Sequence, residues 1–324
     1  MMQAIATADR TETESALIDE IDELRRIRGA VILAHNYQIG VIQDIADHVG
    51  DSLGLSQVAA RSDAAQIVFC GVHFMAETAA ILNPRSTVLL PDREAGCSLA
   101  DSINVDQLRA WKQQHPDAIV VSYVNTTAAV KAESDYCCTS GNAERVIRAI
   151  PAGREILFLP DMYLGTYLQN VTGRKLQIWA GECHVHAAIR PPMVAARRAQ
   201  YPDAELLVHP ECGCISATLH ALSTGAVDGR GTHVLSTEGM VRHPASSTAS
   251  TFIVATEIGV LHRMRQANPD KTFLPIDDSI SCRYMKMITL EKVRDALRDT
   301  REIITVPAET AARARIAIER MIAL

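Results

Sequence analysis

The sequence contains no CxxC pair, although it carries eight cysteines, at positions 70, 97, 137, 138, 183, 212, 214 and 282. The local signatures of zinc ribbons and ferredoxins are thereby absent, and any metal site must be assembled from cysteines far apart in the chain. Aromatic residues make up only 4%, so the core has to be built mostly from Ala, Val, Ile and Leu. Basic charge is not in excess. The formal net charge is -6, which argues against a general nucleic-acid binder. No apolar run approaches the ~18 residues a membrane span requires. The opening MMQAIATADRTETE has neither the basic segment nor the apolar stretch of a secretory signal. A cytoplasmic protein is expected, in which cysteines are reduced core residues or ligands.

What is present is a repeat. At 324 residues, 48% hydrophobic and 22% charged, the chain suits two or three ordinary globular domains. Ser15–Ile27 reads as a helix with Leu17, Ile18, Ile21 and Leu24 on one face. The β-type run AVILAH follows and ends in His35-Asn36-Tyr37; then come the pair Asp51-Ser52, a helix, two further runs (67–71 and 87–92) and Cys97. The same order recurs from HPDAIVVSYVN, through Tyr123, Asn125, Thr139-Ser140, ILFLPD and LQIWAG, to Cys183. It recurs again from YPDAELLVHPE, through His209, Glu211, Ser236-Thr237, FIVATE and TFLPID, to Cys282.

The spacings agree. His35 to Tyr123 is 88 residues and Tyr123 to His209 is 86; Cys97 to Cys183 is 86 and Cys183 to Cys282 is 99. The surplus is assigned to a loop insertion at Ser223–Gly231. Short apolar runs alternating with helical segments imply βαβ units with parallel sheets covered on both faces. The expected fold is α/β: three pseudo-threefold-related, three-layer α/β/α domains with parallel sheets around a central active site. The expected divisions are an N-terminal segment and helix (1–27), repeats at 28–115, 116–201 and 202–300, and an extension at 301–324.

Three constellations carry chemistry. Cys97, Cys183 and Cys282 occur once per repeat, just beyond a strand end, whereas an isolated free cysteine is more often a buried core thiol. Cys70, Cys137 and Cys138 lie in apolar runs and read as such thiols, while Cys212 and Cys214 flank Gly213 and could be redox-active. Three thiolates leave a cubane iron-sulfur cluster with one open iron, a Lewis acid. Ser52, Ser140 and Thr237 each stand where a helix begins, as N-caps, and hydroxyl-bearing helix N-termini bind carboxylate or phosphate. His35, Tyr37, Tyr123, Asn125, His209 and Glu211 place polar groups at one layer of all three repeats, and His and Glu exchange protons if their pKa values are tuned toward neutrality. His186, three residues beyond Cys183, is a further candidate contact to the cluster ligands or substrate.

These residues fall in a series of motifs that resembles the quinolinate synthase family from about Ile32 to Leu297: AHNYQ, GDSLGLS, GVHFMAETA, LLPDREAGCSLADS, SYVNTTAAVKAESDYCCTS, FLPDMYLG, CHVH, VHPEC, FIVATEIGVLHRM and SCRYMKMITLEKV. The resemblance is to members with a single cysteine in the last motif. It implies a [4Fe-4S] cluster on Cys97, Cys183 and Cys282. It also implies substrate contacts at His35, Ser52, Tyr123, Asn125, Ser140, His186, His209, Glu211, Ser236 and Thr237. Tyr37 matches a tyrosine assisting isomerisation and cyclisation, and Glu211 a general base; His209 stands beside it as a further catalytic candidate. The implied reaction joins iminoaspartate to dihydroxyacetone phosphate, giving quinolinate, phosphate and water in NAD biosynthesis. An L-aspartate oxidase or dehydrogenase would supply the first substrate, and neither nucleic acid nor membrane takes part. Two departures are visible: LST (235–237) stands where the family usually has GST, and the stretch 213–231 is longer and richer in Gly. From the residues alone, three rivals remain: another iron-sulfur hydro-lyase acting on a small dicarboxylate, an iron-sulfur electron carrier or sensor, and a zinc-stabilised binding module.

Overall fold

The computed structural model describes residues 11–216, 218, 219 and 231–324. Among these, three four-stranded sheets account for the repeat. The first contains β1 (Ala30–His35), β2 (His48–Gly50), β3 (Gln66–Cys70) and β4 (Thr87–Leu89) in the order β2-β1-β3-β4. The second contains β5 (Ile119–Tyr123), β6 (Tyr136–Cys138), β7 (Ile156–Leu159) and β8 (Gln177–Ile178) in the order β6-β5-β7-β8. The third contains β9 (Glu205–Val208), β10 (Thr232–Val234), β11 (Thr251–Ala255) and β12 (Thr272–Pro275) in the order β10-β9-β11-β12. Every pairing within these sheets is parallel. Helices flank each sheet, so the protein is α/β with three-layer units.

The strands read as unbroken apolar runs because both faces are buried. All four residues of β7, for example, are fully covered. The edge strands β2, β6 and β10 are the elements that sequence periodicity misses: each has three residues, too few to display a period. The first helix spans Glu12–Arg28, bounded by a Thr11/Glu14 capping box and by Gly29 in the left-handed region at φ 56°. The helix expected to start at Thr139 starts at Ala143 and ends at Ala149. The expected insertion at Ser223–Gly231 falls, apart from Gly231, outside the described residues, as do residues 1–10.

Packing ties the units together. The helix Leu290–Asp299 lies on the first sheet, where Leu290, Val293, Ala296 and Leu297 share a buried cluster with Ile21, Ile32, Ala34, Val68 and Cys70. Burying one such aliphatic side chain contributes about 1.5–3 kcal/mol. The helix Ala308–Ala323 bridges the first two units: Asn142 donates to the Met321 carbonyl at 2.8 Å, and Arg315 donates to the Ile81 carbonyl. Among the described residues, no helix is long and apolar enough to cross a membrane.

Candidate functional site

Open parallel sheets present ligands beyond the C-terminal ends of their strands, and here three sets of ends meet around one cavity of about 70 Å³. His35 and Tyr123 end β1 and β5, and His209 follows β9 by one residue. Each is joined in the cavity wall by the residue two positions on: Tyr37, Asn125 and Glu211. Cys97, Cys183 and Cys282 line the same cavity, as do Ser52, Ser140, Thr237 and His186.

The hydroxyls are not the caps expected of them. Asp51 caps the helix Ser52–Arg61 and Ser236 caps Thr237–Arg242, so Ser52 and Thr237 are first-turn residues with side chains left for the cavity. Ser140 precedes its helix by three residues, in a turn held by Asn142. Ser236, expected at the site, is not among the residues lining it, and its hydroxyl caps the helix by accepting from the Gly239 N–H at 3.3 Å.

Glu211 is the hub. Its carboxylate accepts from the Tyr123 hydroxyl and lies 3.2 Å from His186 Nδ1. Burial pushes this carboxyl up, but His186, His209 and the Tyr123 hydroxyl outweigh burial and hold it below the usual carboxylate range. That departs from the near-neutral acceptor expected from the sequence. His35 and His209 also lie far from neutrality, since burial lowers both to about 3. They are neutral imidazoles in which Nδ1 accepts a backbone N–H two residues ahead, from Tyr37 at 3.1 Å and from Glu211 at 3.4 Å. The ring proton is therefore on Nε2 in each. The Tyr37 hydroxyl sits 2.6 Å from Thr256 Oγ1 and 3.2 Å from His186 Nε2, and burial raises its pKa, keeping the phenol protonated.

Burial pushes the Cys97 thiol up to about 12 and raises those of Cys183 and Cys282. A metal bound there must displace these protons, which couples its affinity to pH. Cys183, His186 and Glu211 offer ligand atoms within 4.8 Å of one another, so metal-ligating groups do converge in this wall. Cys70, Cys137 and Cys138 are buried away from it. Cys212 and Cys214, the pair that the sequence leaves open to redox chemistry, are joined as a disulfide. Gly213 between them packs so closely on the turn after Cys183 that an added Cβ would meet the Ala187 carbonyl oxygen at 2.7 Å.

Two carboxylates escape a sequence reading. Glu257 and Asp161 each lie two residues beyond a strand, β11 and β7, and both are fully buried. Glu257 accepts the Cys282 N–H at 3.0 Å and pairs with Lys286 at 2.8 Å. Asp161 caps the helix Met162–Thr172 beside Cys183. Their common offset from equivalent strands was the available signal, but PD and TE each resemble ordinary loop acids. The first unit has Val72 at this position.

Three parallel-sheet α/β units contributing one cysteine apiece to a shared, hydroxyl-lined cavity define an α/β protein with one composite site. The quinolinate synthetase A protein family model matches residues 19–323. Similar proteins include the quinolinate synthase of Mycobacterium sp. strain KMS, 56% identical over 304 residues, which are 94% of this chain and 90% of that protein. The quinolinate synthase of Thermus thermophilus is 54% identical over 309 residues, 95% of this chain and 97% of that one. That of Mycobacterium tuberculosis is 54% identical over 304 residues, 94% and 87% of the two chains. The chain belongs to the quinolinate synthase family.

Proposed function

We propose that the protein is a quinolinate synthase that condenses iminoaspartate with dihydroxyacetone phosphate, releasing phosphate and water. In this reading the units 28–115, 116–201 and 202–300 supply Cys97, Cys183 and Cys282 to a [4Fe-4S] cluster. The observation that carries it is the meeting of those three thiols in one cavity with the neutral histidines and Glu211. The donor set fits: three thiols and no fourth cysteine among the cavity residues. When bound, the cluster supplies a Lewis-acidic iron for loss of water.

The chain's own residues do the rest. Ser52 and Thr237, on first helical turns, offer hydroxyls and backbone N–H groups to the carboxylates and the phosphate. His35 and His209 donate from Nε2 without adding charge. Tyr37 holds a phenolic proton ready for a developing oxyanion. Glu211, ionised and supported by Tyr123 and His186, accepts a proton from the condensing carbon or nitrogen. Its low pKa makes it a weak base before substrate arrives, and the negative charge of a dicarboxylate beside it raises its basicity.

Anaerobic preparation with iron and sulfide analysis tests the ligand set. Cys97→Ser, Cys183→Ser and Cys282→Ser should each lose the cluster, and Cys70→Ser should keep it; full iron in Cys183→Ser would refute one ligand per unit. Glu211→Gln should retain the cluster spectrum and form quinolinate at least ~100-fold more slowly. A near wild-type rate would move the base to Tyr37 or His209.

A further inference from the structure

The third sheet carries a second group of metal-ligating side chains at its opposite end. Glu205 opens β9, His233 is the middle residue of β10, and His243 begins the short 3-10 helix His243–Ala245. His209 lies four positions beyond Glu205 along the extended chain, which is about 13 Å at ~3.3 Å per residue. The group is therefore separate from the central cavity.

The parallel register sets His233 opposite Leu207, two residues from Glu205, so both side chains leave the same face of the sheet. His243 Nε2 lies 2.7 Å from Glu205 Oε2, and His233 Nε2 lies 3.6 Å from that same oxygen. All three ligand atoms are within 4.8 Å of one another. The imidazole rings stand 4.0 Å apart at 43°, too tilted for a simple stack. Ser247 Oγ donates to the other carboxylate oxygen at 2.8 Å, orienting the carboxylate and leaving Oε2 facing the rings. Phe252 backs the His243 ring edge-on at 6.2 Å. Although His233 is part-exposed, its Nε2 atom is buried and has no hydrogen-bond partner. Hydrogen bonding thus accounts for Glu205 and His243, but not for the second imidazole turned toward the same oxygen.

We propose that Glu205, His233 and His243 bind one divalent ion of the zinc class, with a fourth position open to water. Two neutral imidazoles and one carboxylate are a borderline donor set, and they carry a net negative charge for the dication. Ligand bonds of ~2.0–2.1 Å in a tetrahedron put ligand atoms ~3.4 Å apart. The 3.6 Å contact already meets that spacing, and the 2.7 Å contact has to open by about 0.7 Å, a side-chain adjustment. The bound ion would clamp β10 and the short helix onto β9.

Cobalt(II) and then zinc(II), added anaerobically to the cluster-loaded enzyme, test the site by equilibrium dialysis and electronic spectroscopy. The expected result is one cobalt per chain beyond the iron, with d–d bands of a four-coordinate nitrogen and oxygen site and no thiolate charge-transfer band. Zinc should displace it and raise the melting temperature. His233→Ala and His243→Ala should each lose that equivalent and the zinc-dependent shift, while keeping wild-type quinolinate formation without added metal. The more conservative His233→Gln should fold and lose most of the affinity. No uptake, a thiolate charge-transfer band, or uptake that persists in His233→Ala would each overturn the three-ligand site.

Discussion

The second and third units solve the same problem in opposite electrostatic ways. In both, a buried carboxyl two residues past a strand stands next to the backbone of that unit's cavity cysteine. Glu257 is saturated: it accepts from the N–H groups of Cys282 at 3.0 Å and Gly259 at 2.7 Å, and it pairs with Lys286 at 2.8 Å. An added Cβ at Gly259 would come within 2.7 Å of the Tyr37 backbone carbonyl oxygen, so glycine suits this close approach. Asp161 has one good bond, from the Leu164 N–H at 2.7 Å. The Tyr163 and Cys183 N–H groups act on it electrostatically, yet its Oδ2 lacks a hydrogen-bond partner. Among the described residues no cation pairs with it, and burial followed by the charge of Glu211 pushes its pKa well up. The third unit thus holds its cysteine loop with an ion pair, and the second with a carboxyl whose ionisation burial and the charge of Glu211 oppose. A carboxyl can be fully buried either way; which way depends on whether its nearest charged neighbour is a lysine or another carboxylate.

Several substitutions can break or sharpen this contrast. The largest effect is expected for Glu257→Gln, which leaves Lys286 without its counter-charge. It should lower stability by about 3 kcal/mol, read as a fall in denaturant midpoint, together with reduced iron per chain. An unchanged midpoint would show the ion pair to be dispensable.

Next comes Glu133, in the same unit as Asp161 but surrounded by cations. Arg109 and Arg313 lie 2.9 and 3.0 Å from its carboxylate, and Lys112 lies 3.3 Å away. Burial works against ionisation there, but these partners outweigh it and lower the pKa from 4.5. A folded-state pKa below the unfolded one gives stability that is present above about 4.5 and lost as pH falls through the lowered value. The stability gap between wild type and Glu133→Gln should therefore be about 1 kcal/mol at neutral pH and should close on acidification. A gap that widens with acid would reverse the assigned sign.

The smallest effect is expected for Asp161→Asn. An amide keeps the shape of the carboxyl and Asn caps helices as well as Asp does, while burial and Glu211 already oppose the charge, so stability should change by less than about 1 kcal/mol. A loss as large as that of Glu257→Gln would mean that Asp161 is ionised after all, and the two units would be alike.

The repeat was legible because parallel sheets covered on both sides write themselves as apolar runs, and because His35, Tyr123 and His209 recur at matching strand ends. The cysteines were legible by the same period. The edge strands were not, being too short to show one. Nor were the roles of Asp51 and Ser236: in each dipeptide either residue can cap, and only the backbone decides which hydroxyl is left for the cavity. The tuning of Glu211 was hidden for another reason. His186, Tyr123 and His209 come from two units, and sequence offers no measure of how closely they approach. Asp161 and Glu257 needed the repeat to be extended to acids that have no chemical signature of their own.

The helix Leu290–Asp299 covers a sheet whose inner strand β3 ends at Cys70, 220 positions earlier in the chain. At ~5–20 residues per second of synthesis, the first sheet waits roughly 10–45 s on the ribosome with that apolar face covered only in part, by the first helix through Ile21. The order of manufacture thus runs against the order of assembly. The unit made first is among the last to be sealed, and during that interval a nascent-chain chaperone has a defined hydrophobic surface to hold, formed by Ile32, Ala34, Val68 and Cys70.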